Sequence, residues 1–374
     1  MWLIAIQTLI ADRGKLLTAL VGVIFSVVLV NVQGGFFIGL IRKASLLVDH
    51  GQADIWIGHR SMHYVDLPRD IPRRWLHRIE AIPGVTQVEP YSIGVAQMTL
   101  PSGGFEDVVV VGVDRAGLLG NAWNLVAGRE DAILQPDGII LDECELAKLE
   151  YPQLGDLREI GGRRARLVGT SRGITGFLVM PYVFTSYERA AEYLKLSPER
   201  CSYFLVRAAP GTDVEHLCET IRRQVPEVDA YPRDQYSWVS INFWMTRTGL
   251  GISFGAATLL GLLVGMVVVA QTLYSSVLDR LHEFGTLKAI GARHSQICAV
   301  LLAQAAVLAT AGSMVGLVLV SSVQWGYSTP KAPIVIPWWL SLGSYVLVLA
   351  ICLASSLLPY LRIRKVDPVL VLQS

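Results

Sequence analysis

The chain has 374 residues, of which 52% are apolar and only 17% charged, with a mean hydropathy of +0.45. Soluble globular chains carry about 25% charged residues, so a wholly soluble protein is excluded, and a formal net charge of +1 leaves no bulk field for nucleic acid. Five Cys without a close CxxC or CxxH pair signal neither a disulfide framework nor a zinc site, which leaves a membrane protein with one large water-exposed domain.

Residues 1–15 carry Arg13 and Lys15 and read as a short N-terminal segment. Residues 16–41 hold no charge and are long enough to span a bilayer, which takes about 20 apolar residues. The run outlasts the roughly 7–15-residue apolar core of a signal peptide, and no A-x-A site follows, so a retained first span is expected.

Residues 42–247 have a mixed globular composition, with 23 Lys and Arg against 27 Asp and Glu, a net of −4. Ala53–Gly58 reads as a strand. Asp70–Ile82 reads as a helix with Ile71, Trp75, Ile79 and Ile82 on its apolar face. Pro83-Gly84 then turns into a strand over Val85–Val88. The pattern returns later. Ser202–Arg207 reads as a strand, Thr212 or Asp213 caps a helix reaching Val225, and Val228–Tyr231 follows Pro226 as a strand. Two strand–helix–strand units predict one α/β sheet split by a strand-rich insertion at about 116–198. Gly138–Leu141, Arg164–Gly169 and Phe177–Met180 are its candidate strands. His59, His63 and His77 read as scattered polar residues, because no carboxylate or Cys stands at a supporting metal-ligand spacing. Two of Cys144, Cys201 and Cys218 are able to bridge in an oxidising space, and the sequence does not select a pair.

Residues 248–278, 295–323 and 334–361 form three further uncharged spans. A link rich in proline (Pro330, Pro333, Pro337) joins the last two, and Trp338 and Trp339 sit where an interfacial aromatic belt is expected. Arg13 and Lys15, then Arg280, Lys288 and Arg293 in the 279–294 loop, then Arg362, Arg364 and Lys365 in the 362–374 tail outnumber Lys331 in the other short loop. The positive-inside rule therefore places both termini and the 279–294 loop in the cytoplasm, although Arg42 and Lys43 vote the other way locally. The predicted fold class is an α-helical membrane protein with four transmembrane helices and a large α+β extracytoplasmic domain, residues 42–247, between helices 1 and 2.

Glycines recur at four-residue spacing as Gly35/Gly39, Gly251/Gly255, Gly261/Gly265 and Gly312/Gly316, which allows close helix approach within one chain or between two copies. The spans carry no intramembrane charge of the kind that marks ion pathways, so energy is expected from a partner. No G-x4-G-K-[S/T] loop or H-E-x-x-H helix is present.

The 279–294 loop reads as a short amphipathic helix. Leu278, Leu281, Phe284, Leu287 and Ile290 drift around one face, while Asp279, Arg280, Glu283 and Thr286 lie away from it. Gly291 fits a helix stop. Two readings are open on these grounds: a helix lying in the membrane surface, or a knob docking into a partner's groove with Phe284 and Leu287 as anchors.

Glu283-Phe-Gly-Thr-Leu-Lys-Ala-Ile-Gly-Ala292 resembles the E-[FI]-G-x-[LM]-[KR]-A-[ILM]-G-A coupling segment of the MacB/FtsX-type ABC transporter permeases. Arg364-Lys-Val-Asp-Pro-Val-Leu-Val-Leu372 is similar to their closing motif, with Val371 where a small residue is usual. Ala81-Ile-Pro-Gly-Val85 with Val88-Glu-Pro90 is similar to their I-P-G-V…V-x-P stretch. The order of one span, a large outer domain and three spans also matches, and the 283–288 segment looks closest to the DevC-like branch. The resemblance implies an outer domain in two parts and a homodimer in the bacterial inner membrane, together with membrane lipid. It also implies a separate ATPase subunit that holds the ATP and Mg. Arg280, Glu283, Phe284, Gly285, Leu287, Lys288 and Gly291 would then be the ATPase-coupling residues, and Gly251, Gly255, Gly261, Gly265, Gly312 and Gly316 the helix-packing ones. A periplasmic adaptor and an outer-membrane channel are further implied partners. Export by mechanotransmission is the implied function, with no catalytic residue, metal or cofactor on this chain. The alternative is an ATP-independent membrane sensor or scaffold with an extracytoplasmic ligand-binding domain.

Overall fold

The computed structural model describes residues 13–178, 180–279 and 294–356. They fall into two units, Leu40–Leu250 and the remainder on either side of it. The chain enters through helix α1 (Arg13–Arg42), and after one 3-10 turn at Lys43–Ser45 the short helix α2 (Leu46–His50) follows.

The Leu40–Leu250 unit is built on a ten-stranded sheet. In chain order its elements are β1 (Ile55–His59), β2 (Ile71–Pro72), α3 (Leu76–Glu80), β3 (Val85–Thr99), β4 (Phe105–Val113), β5 (Leu125–Ala127), β6 (Gly138–Asp142), β7 (Leu157–Ile160), β8 (Arg163–Ser171), β9 (Tyr182–Ser186), α4 (Tyr187–Tyr193), β10 (Arg200–Cys201), β11 (Tyr203–Ala208), α5 (Val214–Gln224), β12 (Val228–Pro232) and α6 (Arg233–Arg247). The strand order is β12-β1-β11-β3-β4-β9-β6-β8-β5, with β7 pairing β3 and β8; β10 and β2 pair separately. The first four strands are mutually antiparallel, so the two strand–helix–strand units interdigitate as a split βαβ pair. The insertion extends the same sheet from β4 onward. It therefore begins near Phe105, upstream of the expected boundary at 116.

Alternation along the strands divides the apolar side chains between the two faces of the sheet. Ile55, Ile57, Phe204 and Val206 face one side, with Leu217 and Ile221 of α5 and Ile79 of α3. Trp56, Tyr203, Leu205, Tyr91, Val109 and Val111 face the other, with Tyr236 of α6. Strands buried on both faces read as continuous apolar runs, which is why Ile-Trp-Ile at 55–57 and the valines at 108–111 carry no polar alternation. Asp213 caps α5, its carboxylate accepting from the N–H groups of Glu215 and His216 at 3.0 and 3.3 Å.

Several sequence expectations are corrected here. The Asp70–Ile82 helix is instead a two-residue strand, a 3-10 turn and a one-turn helix. Pro72 biases Ile71 away from the helical region, and Ile71 is held extended against Cys201. Phe177–Met180 is not a strand: Phe177 and Leu178 lie in a turn, and β9 starts after Pro181. Val85–Val88 is only the start of a 15-residue strand. Helix α6 was not expected at all. None of Cys144, Cys201, Cys218, Cys298 and Cys352 forms a disulfide. Burial pushes the Cys201 and Cys218 thiols up, the latter to about 12, so they stay protonated.

Beyond α6 come α7 (Leu250–Asp279), α8 (His294–Tyr327) and α9 (Trp338–Ser355). With the segment from Arg13, these are four helices long and apolar enough to cross a membrane. The second begins at Leu250 rather than 248, because Gly249 takes a φ of +72° and ends the preceding helix at Arg247. The fourth begins at Trp338 rather than 334, after the extended Pro337. The expected end of that span, 357–361, lies outside the described residues.

Candidate functional site

In the helical unit α1 touches all three partners. An added Cβ on Gly22 would meet Val268 of α7, and on Gly265 and Gly261 it would meet Ser26 and Leu29. Val23 and Val27 pack over Gly312 and Gly316 of α8. Asn31 donates to Ser344 of α9 at 2.7 Å, Gly34 faces Leu340, and Val335 N–H donates to Gly35 O at 3.0 Å. As numbers rise along α1 they fall along α7 and α9 and rise along α8, so α7 and α9 run antiparallel to α1 and α8 runs parallel. Without side chains at these glycines the backbones approach closely and dispersion contacts replace lipid. Gly39 also lies against Pro333, whereas Gly255 has open space around it and Gly251 is half-buried.

The other unit holds a buried polar network at the foot of α6. Asp49 of α2 accepts from Ser45 Oγ at 2.8 Å and from Ser237 Oγ of α6. Tyr236 of α6 donates to Tyr203 Oη at 3.1 Å, and Tyr203 donates to the carbonyls of Tyr64 and Val65. Phe243 stacks parallel to Tyr64 at 6.1 Å, and Trp244 lies edge-on to it at 4.9 Å and against Phe177 at 4.0 Å. One helix thus fastens the start of the unit, the 60–70 loop and the turn at Phe177 together.

Asp66 lies behind Tyr64 and is 2% exposed. The hydroxyls of Tyr64 and Tyr182 donate to its two carboxylate oxygens, that of Tyr182 at 2.8 Å. Burial pushes its pKa up to about 6, against these hydrogen bonds, which favour the ionised form. No cation is among the groups that shift it. Beside Tyr64 and Tyr203 opens a cavity of about 210 Å³ lined in part by His59, His63, Arg69 and Phe243. The structure thus brings two of the scattered histidines to one cavity. Among the described residues no three His, Cys, Asp or Glu side chains are placed to hold a metal ion.

Arg280, Glu283, Phe284, Gly285, Leu287, Lys288 and Gly291 all lie outside the described residues. Three features escaped sequence reasoning. Gly249 was absorbed into an apolar run, although a glycine two residues past Arg247 is a helix-stop signal. Asp66 looked like one of many loop carboxylates. Asn31 and Ser344 are polar residues in uncharged spans, and only packing pairs them.

Residues 16–224 match the MacB-like periplasmic core domain, and residues 255–368 match the FtsX-like permease C-terminal segment. A protein of Mycobacterium tuberculosis described as an uncharacterized ABC transporter permease is 27% identical over 232 residues, 61% of this chain and 60% of that protein. One of Methanocaldococcus jannaschii with the same description is 25% identical over 174 residues, 45% of this chain and 42% of that protein. The matches therefore span less than two thirds of these relatives' own lengths. Among solved structures, the periplasmic region of MacB from Actinobacillus actinomycetemcomitans aligns with 50% of this chain and 92% of that one, at 11% identity and a TM-score of 0.40.

Proposed function

This chain belongs to the MacB/FtsX-type ABC transporter permeases, and from that premise we propose that it is the membrane subunit through which a separate ATPase drives movement of the outer domain. One observation supports the reading most. The helical path from Arg13 continues to His50, whereas the path from α6 into α7 is interrupted at Gly249. The Asp49–Ser237 bond clamps the two paths together. Within the Leu40–Leu250 unit, the segment that follows the first span and the helix that precedes the second are thus fastened to each other.

In this reading the 279–294 segment is the coupling helix on the cytoplasmic side, as the Lys and Arg distribution suggests. ATP and Mg bind the ATPase. Closure of two ATPases moves the coupling helices of a homodimer in the bacterial inner membrane, and the uncharged spans pass the displacement outward. Catalysis stays with the ATPase, and this chain supplies no catalytic residue. Export through a periplasmic adaptor and an outer-membrane channel, in the manner of the DevC-like branch, completes the proposal.

The test is a pull-down of the ATPase with Phe284→Ala and Glu283→Lys. Loss of an anchor at a hot spot costs about 2 kcal/mol or more, and inverting Glu283 removes charge complementarity. Both variants are expected at normal membrane levels with lost ATPase binding. Undiminished binding by both would end the coupling-helix assignment. A surface helix predicts instead that Glu283→Lys is neutral or favourable beside anionic lipid.

A further inference from the structure

The segment 42–247 is acidic overall, at net −4, yet one groove in it is cationic. The groove is open, has a volume of about 920 Å³ and runs between residues 72–77 and 197–200. Arg73, Arg74, His77 and Arg200 line it, with Glu199 as the single lining carboxylate. The backbone locks its walls together. β2 and β10 pair with Arg200 opposite Pro72, and Arg73 N–H donates to Glu199 O at 2.7 Å.

The guanidinium groups are positioned without a salt bridge, although the Asp70 carboxylate lies near enough to Arg200 to feel its charge. Arg73 sits 5.0 Å over the ring of Tyr187. Arg200 Nη2 donates to Asp70 O at 2.7 Å, which uses one of its five N–H donors. Arg74 is exposed. Elsewhere on this unit Arg115, Arg172, Arg189 and Arg223 each pair with a carboxylate. Among the described residues no such pair involves Arg73, Arg74 or Arg200. His77 is the exception within the groove, 3.6 Å from Glu80. Three arginines without a salt-bridge partner are thus gathered in one place on an otherwise acidic surface.

We infer that this groove binds an acidic segment of a partner protein, an extended peptide carrying several Asp or Glu side chains. Planar guanidinium forks match carboxylates in bidentate geometry. Charges spread over both walls call for a multivalent ligand rather than one small anion. Pro72, Leu76 and Pro198 provide an apolar strip for the side chains between the acidic ones. The acidic remainder of the domain repels the same peptide elsewhere and so sharpens the choice of site. The inference does not depend on the ATPase-coupling reading.

The experiment uses the full chain in nonionic detergent and a fluorescein-labelled alternating Glu-Ala dodecapeptide, followed by anisotropy at about 50 mM salt. Saturable binding is expected, weakened about tenfold by Arg74→Ser with Arg200→Ser and unchanged by Arg115→Ser. A Lys-Ala peptide should not bind. If the double variant melts well below the wild type, the exposed Arg74→Glu alone serves, with the same expected loss. Absent binding, or binding equal in wild type and variants, overturns the proposal. So does full displacement of the peptide by an equal concentration of inorganic phosphate, or by phosphatidylglycerol vesicles, since either assigns the groove to another ligand.

Discussion

Asp66 offers a quantitative check on the buried network. Its carboxyl titrates near 3.8 when solvated and at about 6 in the fold. A raised folded-state pKa means that the folded state holds the proton more tightly. The associated stability is therefore fully present below pH 3.8 and is lost as pH rises through about 6. Two units at about 1.4 kcal/mol each give a loss of about 3 kcal/mol by neutral pH. Asp66→Asn mimics the neutral form at every pH. It keeps an acceptor for one of the two tyrosine hydroxyls, so the net gain at pH 7.5 is expected at about 1–3 kcal/mol. For a unit of this size that is a rise of roughly 3–10 °C in melting temperature. Wild type and variant would be melted in detergent at pH 4.5 and 7.5, following tryptophan fluorescence. Trp56, Trp123 and Trp244 sit in or against the core that holds Asp66. Other groups titrate over this range, so the difference between the two proteins carries the result. The variant should be the more stable at pH 7.5, with the gap closing at pH 4.5. A pH-independent gap, or one that opens on acidification, would refute the argument that an unpaired buried carboxylate is ionised at neutral pH.

Gly265→Leu should lower the yield of folded protein, because its side chain would enter the space of Ser26 on α1 at a cost of about 1–3 kcal/mol; Gly255→Leu, with open space around it, should leave yield and melting unchanged. Gly249→Val places a β-branched residue at φ +72° and is expected to cost about 1–3 kcal/mol. It should also reduce export more than it reduces membrane levels, and proportional losses would argue against a joint. For topology, a membrane-impermeant maleimide added to intact cells should modify Asp107→Cys and spare Thr286→Cys; the reverse pattern would invert the orientation.

What could be read from the sequence alone was whatever depends on local composition or short-range periodicity. Four uncharged runs announce four spans, because the bilayer tests each helix for length and polarity separately. Strands β1, β11 and β12 and helix α5 were legible because each carries its own apolar pattern and its own cap or stop, such as Asp213 and Pro226. The coupling-segment motif is contiguous, so it too was visible without a structure. Tertiary packing decided the rest. Ile71 is extended because Cys201 pairs with it from 130 positions away, and no local pattern records that. Asp66 differs from other loop carboxylates only because Tyr182 arrives from the insertion and burial removes water. Gly261 and Gly265 meet α1 and Gly255 meets nothing among the described residues, although the same four-residue spacing describes all three. Spacing sets which residues share a helix face; which face meets a neighbour is settled by the simultaneous packing of all four helices.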